Sequence, residues 1–158
     1  MNNIKTFENF NNQDIFTYIK NNDIQSVKNY IDAGYDLNIK NEYGFTSLII
    51  AAIINNLEIV KFLLNAGADI DKQNNSGNNA LIWAASNNNR EIVELLLDYG
   101  ADEFILNNDN KSFYDYLNDE NKEYFLHKYP TSVYNAIYYE YKKSFTEFLK
   151  DYNIKIKK

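Results

Sequence analysis

Apolar residues recur along the chain in pairs of short stripes with helical spacing. Within residues 48–52 and 59–64 they fall three and four positions apart, and a polar stretch separates the two stripes. The same pair of stripes returns in residues 81–85 and 92–97. Stripes of this kind are the buried faces of short amphipathic helices. The pattern therefore predicts an all-α chain built from helix-turn-helix units.

The units repeat at a constant step. Gly34, Gly67 and Gly100 are each 33 residues apart, and an aspartate follows each of them two positions later. A constant period of this length is typical of a repeat array, in which neighbouring units bury each other's apolar faces. Each glycine follows a predicted second helix, where the chain often adopts a left-handed conformation that costs other residues about 1 kcal/mol or more. We interpret the three glycines as helix stop signals.

Polar residues in the same register precede each first helix. Thr46, Asn79 and Ser112 stand just before the first helices of their repeats. Side-chain oxygens of these types accept a hydrogen bond from the unpaired N–H groups of a helical first turn. Gly44 and Gly77 stand two positions before Thr46 and Asn79, and Asn110 takes the equivalent position in the last copy. After glycine, Asn is the residue that best tolerates positive φ. We expect three N-caps, and the same turn at Asn110.

Four segments carry a resemblance to a known family. They read NEYGFTSLIIAA at 41–52, EIVKFLLNAGADI at 58–70, GNNALIWAA at 77–85 and EIVELLLDYGAD at 91–102. These motifs are highly specific, and through them the chain resembles the ankyrin-repeat family over residues 41–106. The resemblance implies an all-α ankyrin-repeat solenoid of about four helix-turn-helix repeats with divergent caps, which binds other proteins and has no catalytic activity.

The repeats divide the chain into six segments. We assign a lead-in, a divergent first repeat, two regular repeats, a truncated capping repeat, and a C-terminal amphipathic helix with a basic tail, at 1–7, 8–40, 41–73, 74–106, 107–130 and 131–158. The family's Thr-Pro-Leu-His motif is altered to Thr46–Ile49 and Asn79–Ile82, which lack the proline that starts the helix and the histidine that ties repeats together.

Charge and composition refine this interpretation. The formal net charge is -6, but residues 131–158 hold six lysines against three acidic residues, so the first 130 residues carry -9. An acidic body repels nucleic-acid phosphates and suits a partner with a basic surface. Asparagine is abundant, including the run at 87–89. Because this run lies between periodic helices, we interpret it as compositional bias and not as disorder.

The compartment follows from what the sequence lacks. Residues 1–7 have neither the basic stretch nor the apolar run of a signal peptide, and no later stretch approaches the roughly 18 apolar residues of a membrane span. The chain has no cysteine, which excludes disulfides and thiolate sites. We expect a cytoplasmic protein without membrane contact, while export without a cleavable signal stays open.

Side chains that carry out chemistry are sparse. His127 is the sole histidine, and no recognisable nucleophile motif lies near it. Asp69, Asp71 and Asp109 lack the spaced oxygen ligands of a calcium loop, and no glycine-rich loop cradles a phosphate. We predict a protein that is not an enzyme and has no catalytic residues, cofactor or metal site.

The segment after Pro130, the only proline, forms another amphipathic pattern. Apolar residues recur at three- and four-residue intervals through 133–152, which predicts one helix. Its apolar face needs a cover, and three alternatives stay open: the end of the solenoid, a second copy through residues 131–152, or a partner. We favour a monomer. Tyrosines beside Lys142 and Lys143 would suit nucleic acid, but aromatic residues at helical spacing normally pack, so we predict no nucleic-acid binding.

Positions whose residue type changes between copies are candidates for partner recognition, because the fold does not require one residue type there. Lys20 and Asn21 stand in the register that carries two isoleucines in the second repeat. In proteins that this chain resembles, hairpin tips and first helices line a concave face that binds partners. That face maps onto ten candidate partner-binding residues: Glu42, Tyr43, Phe45, Ile53, Ile54, Asn75, Asn78, Trp83, Ser86 and Asn87. Inter-repeat packing stays open as an alternative role for the tryptophan and the isoleucines.

The function that these observations favour is protein binding through the concave face. Small size and acidic charge suggest the more specific hypothesis of an inhibitor that blocks a basic protein. The alternative is a self-associating scaffold or structural protein that uses the C-terminal amphipathic helix. A fold shared by many functions does not decide between the two.

Overall fold

The computed structural model describes Asn11 and residues 14–129, and this part of the chain is helical without a strand. It divides into two compact units, of which one ends at Leu117 and the other begins at Asn118. The secondary structure of the described residues therefore agrees with the all-α prediction.

Three predictions fall outside the described residues. These are the lead-in at 1–7, the start of the divergent repeat at 8–13 except for Asn11, and the C-terminal helix with its basic tail at 131–158. Self-association through residues 131–152 depends on that helix and stays a prediction.

The helices of the first unit come in pairs. Each of the three complete pairs has a first helix of seven residues and a second of nine, and a shorter helix follows. The helices are α1 (Asp14–Lys20), α2 (Ile24–Asp32), α3 (Ser47–Ile53), α4 (Leu57–Asn65), α5 (Ala80–Ser86), α6 (Arg90–Asp98) and α7 (Phe113–Tyr116). The second unit contains α8 (Asp119–Lys128).

Stacking joins equivalent helices of neighbouring pairs. The first helices pack in the order α1, α3, α5 and α7, and the second helices pack in the order α2, α4 and α6. Val27, Val60 and Val93 occupy the same register in the second helices and are fully buried. Paired alanines at 51–52 and 84–85 are also fully buried, since a small side chain lets adjacent helices approach closely. The recurring apolar positions are therefore the core.

The predicted N-caps are confirmed. Thr46 Oγ1 accepts a hydrogen bond from the backbone N–H three residues later at 3.3 Å, and Asn79 Oδ1 does the same at 2.9 Å. Ser112 is the N-cap of α7, where the Asp115 carboxylate accepts a hydrogen bond from the backbone N–H of Ser112 at 2.7 Å. The first helices α3, α5 and α7 thus begin directly after the residues that the register predicts.

The predicted positive-φ positions are confirmed as well. Gly34, Gly67 and Gly100 have φ of 76°, 84° and 87° and follow the C-caps of the second helices. Asn110 has φ of 57°, so the turn of the last copy keeps its geometry without glycine.

Asparagine has structural roles that the interpretation as compositional bias missed. Asn22, Asn55 and Asn88 recur at the repeat step and have φ of 56°, 57° and 55° in the turn between the first and second helix. The side-chain amides of Asn87 and Asn89 donate to the Ile53 and Ala52 carbonyls of the preceding repeat, at 3.3 and 3.2 Å. The asparagine run at 87–89 therefore forms one turn and ties it to its neighbour.

The altered Thr-Pro-Leu-His motif is accommodated by other contacts. Ser47 takes the proline position, and its hydroxyl donates to the Leu37 carbonyl at 2.6 Å. Ile49 and Ile82 take the histidine positions and are buried. Burial of these two side chains removes apolar surface from water and so stabilises the stack where a histidine would donate hydrogen bonds.

Candidate partner-binding surface

Three asparagines shape the hairpin connections that lead into the first helices. Asn41, Asn74 and Asn107 recur at the repeat step, and the Oδ1 atom of each accepts two backbone N–H groups of its own hairpin at 2.9 to 3.0 Å. Asn74 and Asn107 are buried, so their amides hold each tip in one conformation from within. The 33-residue step of these asparagines is visible in the sequence, but the role of their side chains is not.

Neighbouring hairpin tips are bonded to each other. The backbone N–H of Asn75 donates to the Tyr43 carbonyl at 3.3 Å, and the Asn75 side-chain amide donates to the Glu42 carbonyl at 3.2 Å. Asn108 repeats both bonds one unit later, to Ser76 at 3.1 Å and to the Asn75 carbonyl at 3.1 Å. These bonds fix the backbone that carries the candidate aromatic side chains.

The three candidate aromatic residues meet in one cluster. The ring centroids of Tyr43 and Phe45 are 6.4 Å apart, and those of Phe45 and Trp83 are 5.8 Å apart, with the planes tilted by 54° and 56°. Phe45 and Trp83 are half-buried, whereas Tyr43 is 62% exposed. Tilted aromatic pairs at these distances attract each other beyond the effect of area burial. The cluster therefore bridges the second and third repeats and also presents a ring to solvent.

The isoleucine pair lies at the other end of α3. Ile53 is half-buried, and Ile54 is the C-cap of the helix and is 39% exposed. Tyr43 precedes this helix, which is about 10 Å long at seven residues. The structure thus gives the second repeat an exposed apolar group at each end of its first helix.

The polar candidates serve the scaffold as well as the surface. Glu42, Asn75 and Asn87 are exposed, and Asn78 and Ser86 are partly exposed. Asn78 Oδ1 accepts from the Asn107 side-chain amide at 2.8 Å, and the Ser86 hydroxyl donates to the Trp83 carbonyl at 2.9 Å. We call the exposed side chains of residues 42–54 and 75–87 the first-helix surface.

Tyr116 and Lys111 lie in the next repeat after Trp83 and were not among the predicted candidates. Tyr116 stands one repeat after Trp83, and its hydroxyl accepts from the Asn107 side-chain amide at 2.9 Å. The Lys111 ammonium lies 5.6 Å from the Tyr116 ring centroid. The 33-residue offset from Trp83 would have identified the tyrosine.

A second set of exposed apolar side chains lies in the loop after α6. Phe104 and Leu106 are 44% and 49% exposed. They stand in the register of Asp71 and Gln73 in the preceding repeat. The test that identified Ile53 and Ile54, a change of residue type between copies, would have found them too.

Carboxylates in the connecting loops have structural partners. Asp71 Oδ1 accepts the backbone N–H of Asp102 at 2.9 Å, as Asn38 Oδ1 accepts that of Asp69 at 2.7 Å one repeat earlier. Burial raises the pKa of Asp71 above its ordinary value; the hydrogen bond from the Asp102 N–H opposes this rise, and the negative charges of Asp102 and Asp69 add to it. Among the described residues, no three histidine, aspartate or glutamate side chains are grouped so that they could hold a metal ion. The same part of the chain contains no helix long and apolar enough to cross a membrane.

These features define a stack of helix-turn-helix repeats with a rigid, partly aromatic first-helix surface. The family model described as ankyrin repeats (3 copies) matches residues 15–107, which is more than half of the chain. The chain belongs to the ankyrin-repeat family, as its motifs predict. Ankyrin repeats are generally protein–protein interaction modules and are typically not catalytic. A search among curated proteins finds no match to the chain.

Proposed function

We propose that the protein binds a partner protein through the first-helix surface, with its centre at the second and third repeats. The observation that carries this proposal is the cluster of Tyr43, Phe45 and Trp83, whose outermost ring is 62% exposed. One face of the Tyr43 ring packs near Phe45, and the rest of the ring is open to a partner. Tyrosine and tryptophan are enriched among the residues that dominate binding energy at interfaces.

Rigidity supports the same proposal. Tyr43 lies in a hairpin whose N–H groups bond to Asn41 and whose carbonyl accepts from Asn75. Binding through a surface that is already ordered loses little conformational entropy, so more of the contact energy appears as affinity. The exposed Ile54, at the far end of α3, gives a partner a second apolar contact.

Charge supports a basic partner. The first 130 residues carry a formal net charge of -9, and Glu42 is exposed directly beside Tyr43. An acidic surface of this kind accelerates association with a positively charged surface and repels acidic competitors. A small acidic array that covers a basic surface acts by blocking it, and we propose inhibition of a basic protein as the specific role.

The test pairs a surface variant with a matched control. The native partner is first captured and identified by mass spectrometry, then purified. Tyr43→Ala combined with Ile54→Asp is expected to weaken its binding by roughly 30-fold or more, which corresponds to the loss of about 2 kcal/mol at a hot spot. Phe104→Ala combined with Leu106→Asp removes similar apolar groups outside the first-helix surface and is expected to leave affinity unchanged.

Two results would contradict the proposal. One is unchanged affinity of the Tyr43 and Ile54 variant while its circular dichroism and unfolding midpoint stay native. The other is an equal loss in the Phe104 and Leu106 control. The basic-partner part has its own measurement, because the association rate should fall as salt is raised; a rate independent of salt would remove it.

A further inference from the structure

The hairpin tip of the second repeat carries two residues that the third repeat lacks. Glu42 and Tyr43 are both exposed. Asn75 and Ser76 take the equivalent positions one repeat later. The Asn75 side-chain amide donates to the Glu42 carbonyl at 3.2 Å, and Asn108 repeats this bond to the Asn75 carbonyl at 3.1 Å, whereas an ionised glutamate has no N–H to donate. The same hairpin forms with an asparagine and a serine, so the fold requires neither the carboxylate nor the ring.

The Tyr43 ring is open to solvent on a fixed backbone. It is 62% exposed, and its centroid is 6.4 Å from that of Phe45, which lies 5.8 Å from that of Trp83. The Tyr43 N–H donates to Asn41 Oδ1 at 3.0 Å, and the Tyr43 carbonyl accepts the Asn75 N–H at 3.3 Å. A side chain that approaches from solvent therefore meets an aromatic ring whose main chain is already held in place.

The charge of the first-helix surface is negative only. Glu42 is the only charged residue in 42–54 and 75–87, the two segments that form this surface. The carboxylate and the Tyr43 ring belong to adjacent residues of one tip. A carboxylate attracts positive charge, and so does the face of an aromatic ring, which carries the negative part of its quadrupole. Both groups at this tip therefore favour a cation.

Rings in other parts of the described chain have a lysine over them. The Lys28 ammonium lies 4.3 Å from the Phe62 ring centroid, and the Lys111 ammonium lies 5.6 Å from that of Tyr116. A cation within about 6 Å of a ring centroid is attracted to the ring face. The segments 42–54 and 75–87 contain no lysine or arginine that could do the same for the aromatic cluster.

We propose that the tip formed by Glu42 and Tyr43 receives a positively charged side chain of the partner, an arginine or a lysine, with its cationic group over the Tyr43 ring and its charge balanced by the Glu42 carboxylate. This inference rests on the proposed function and names the group that the surface recognises. Arginine and lysine share the charge, and arginine adds a planar group that stacks on a ring and donates two parallel hydrogen bonds to a carboxylate. An acidic side chain at the same place is repelled by Glu42.

Short peptides of one residue type supply the cation before any partner is identified. The probes are N-acetylated hexa-arginine and hexa-lysine amides, and the neutral control is hexa-citrulline, which has nearly the shape of hexa-arginine without its charge. Trp83 is the only tryptophan and belongs to the aromatic cluster, so its fluorescence reports binding there. Calorimetric titration of the full-length protein at low salt gives the dissociation constants. We expect saturable binding of the charged peptides and none of hexa-citrulline, and the tighter charged peptide identifies the partner's side chain.

Two variants with matched controls assign the binding to the tip. Tyr43→Leu keeps an apolar group and removes the ring, so the dissociation constant of the charged peptide should rise about 2- to 5-fold, whereas Tyr43→Phe keeps the ring and should bind like the native protein. Tyr99→Leu is the control, because Tyr99 is 47% exposed at the C-cap of α6, outside the first-helix surface. Glu42→Gln should raise the dissociation constant by a similar factor of about 2 to 5. Glu91→Gln removes the same charge from an exposed position on α6, and both controls should leave the affinity nearly unchanged.

The inference is overturned if neither charged peptide binds, or if hexa-citrulline binds as tightly as they do. It is also overturned if Tyr43→Leu weakens binding no more than Tyr99→Leu, or if Glu42→Gln weakens it no more than Glu91→Gln. If any of these results accompanies the loss of partner binding in Tyr43→Ala with Ile54→Asp, the inference fails and the proposed function stands. If the peptides behave as expected but that double variant binds its partner normally, the proposed function fails.

Discussion

Substitution of Gly44 by alanine tests whether contact between hairpin tips holds the candidate surface in place. Gly44 has φ of 78°, and an added Cβ would lie 2.6 Å from the Asn75 backbone nitrogen and would also overlap the Asn75 side-chain oxygen. The Asn75 N–H that donates to the Tyr43 carbonyl at 3.3 Å would have to move. Gly67 is the matched control, since its φ of 84° is similar and no atom lies within 4 Å of an added Cβ.

The difference between the two variants isolates the contact. Gly67→Ala retains only the left-handed strain of an L-residue, about 1–2 kcal/mol. Gly44→Ala adds the loss of a hydrogen bond, about 0.5–1.5 kcal/mol, and overpacking of about 1–3 kcal/mol, so with the same strain we expect a total of about 2.5–6.5 kcal/mol. Tyr43 lies directly before Gly44, so the same change should also weaken partner binding.

Urea unfolding followed by circular dichroism measures both free energies. We expect Gly44→Ala to lower the unfolding free energy by at least about 1.5 kcal/mol more than Gly67→Ala, which is the sum of the smallest hydrogen-bond and overpacking costs. Equal losses in the two variants would show that the tips tolerate separation, and the rigidity argument for the surface would then fail. Gly67→Asn should cost less than Gly67→Ala, because asparagine accepts the left-handed conformation.

Three further predictions concern the scaffold. Burial raises the pKa of Asp71 above its ordinary value of 3.8, so the ionisation of Asp71 opposes folding above that pH. Asp71→Asn keeps the acceptor for the Asp102 N–H, as Asn38 does for the Asp69 N–H one repeat earlier. This variant should raise the urea midpoint at pH 7. The gain should vanish as the pH falls below 3.8, and an equal gain at pH 3 and pH 7, which are about 1 unit below and about 3 units above that value, would contradict it. Asn107→Ala leaves the polar groups bonded to this buried amide without a partner and should cost about 2–4 kcal/mol in the same assay; a loss under about 1 kcal/mol would contradict that role. Asn55 has φ of 57°, so Asn55→Gly should be nearly neutral and Asn55→Ala should cost about 1 kcal/mol; equal losses measured by thermal unfolding would refute the conformational argument.

The fold was accessible from the sequence because its signals are local. Glycine after a second helix, a cap residue before a first helix and the asparagine at 110 each depend on a few neighbouring residues, and a 33-residue step repeats them. The same step was present in Asn22, Asn55 and Asn88, whose left-handed turns were missed because asparagine is common throughout the chain. Asparagine is so common that the 33-residue spacing of these three residues does not stand out, whereas glycine occurs only five times and its spacing does.

The candidate site was accessible only in part. Comparison of the copies identified Ile53 and Ile54 as residue types that the scaffold does not require, and the resemblance to the family supplied Tyr43. It did not show that the Asn75, Asn78 and Asn87 amides bond to neighbouring repeats, because those partners lie 29 to 34 residues away in the chain. Such contacts depend on how one repeat is placed on the next.

By itself, the sequence determined the repeat, the family, the starts of three first helices, the ends of three second helices and the set of variable positions, since all of these follow from periodicity and local backbone preference. Only the tertiary structure decided which of those positions meet. Phe45 and Trp83 belong to different repeats. Their ring centroids are 5.8 Å apart because stacking places the hairpin before α3 against α5. The same stacking buries the N–H groups of Asn79 and Trp83. No pattern along the chain reports the burial of a single donor, because burial depends on every side chain that surrounds it.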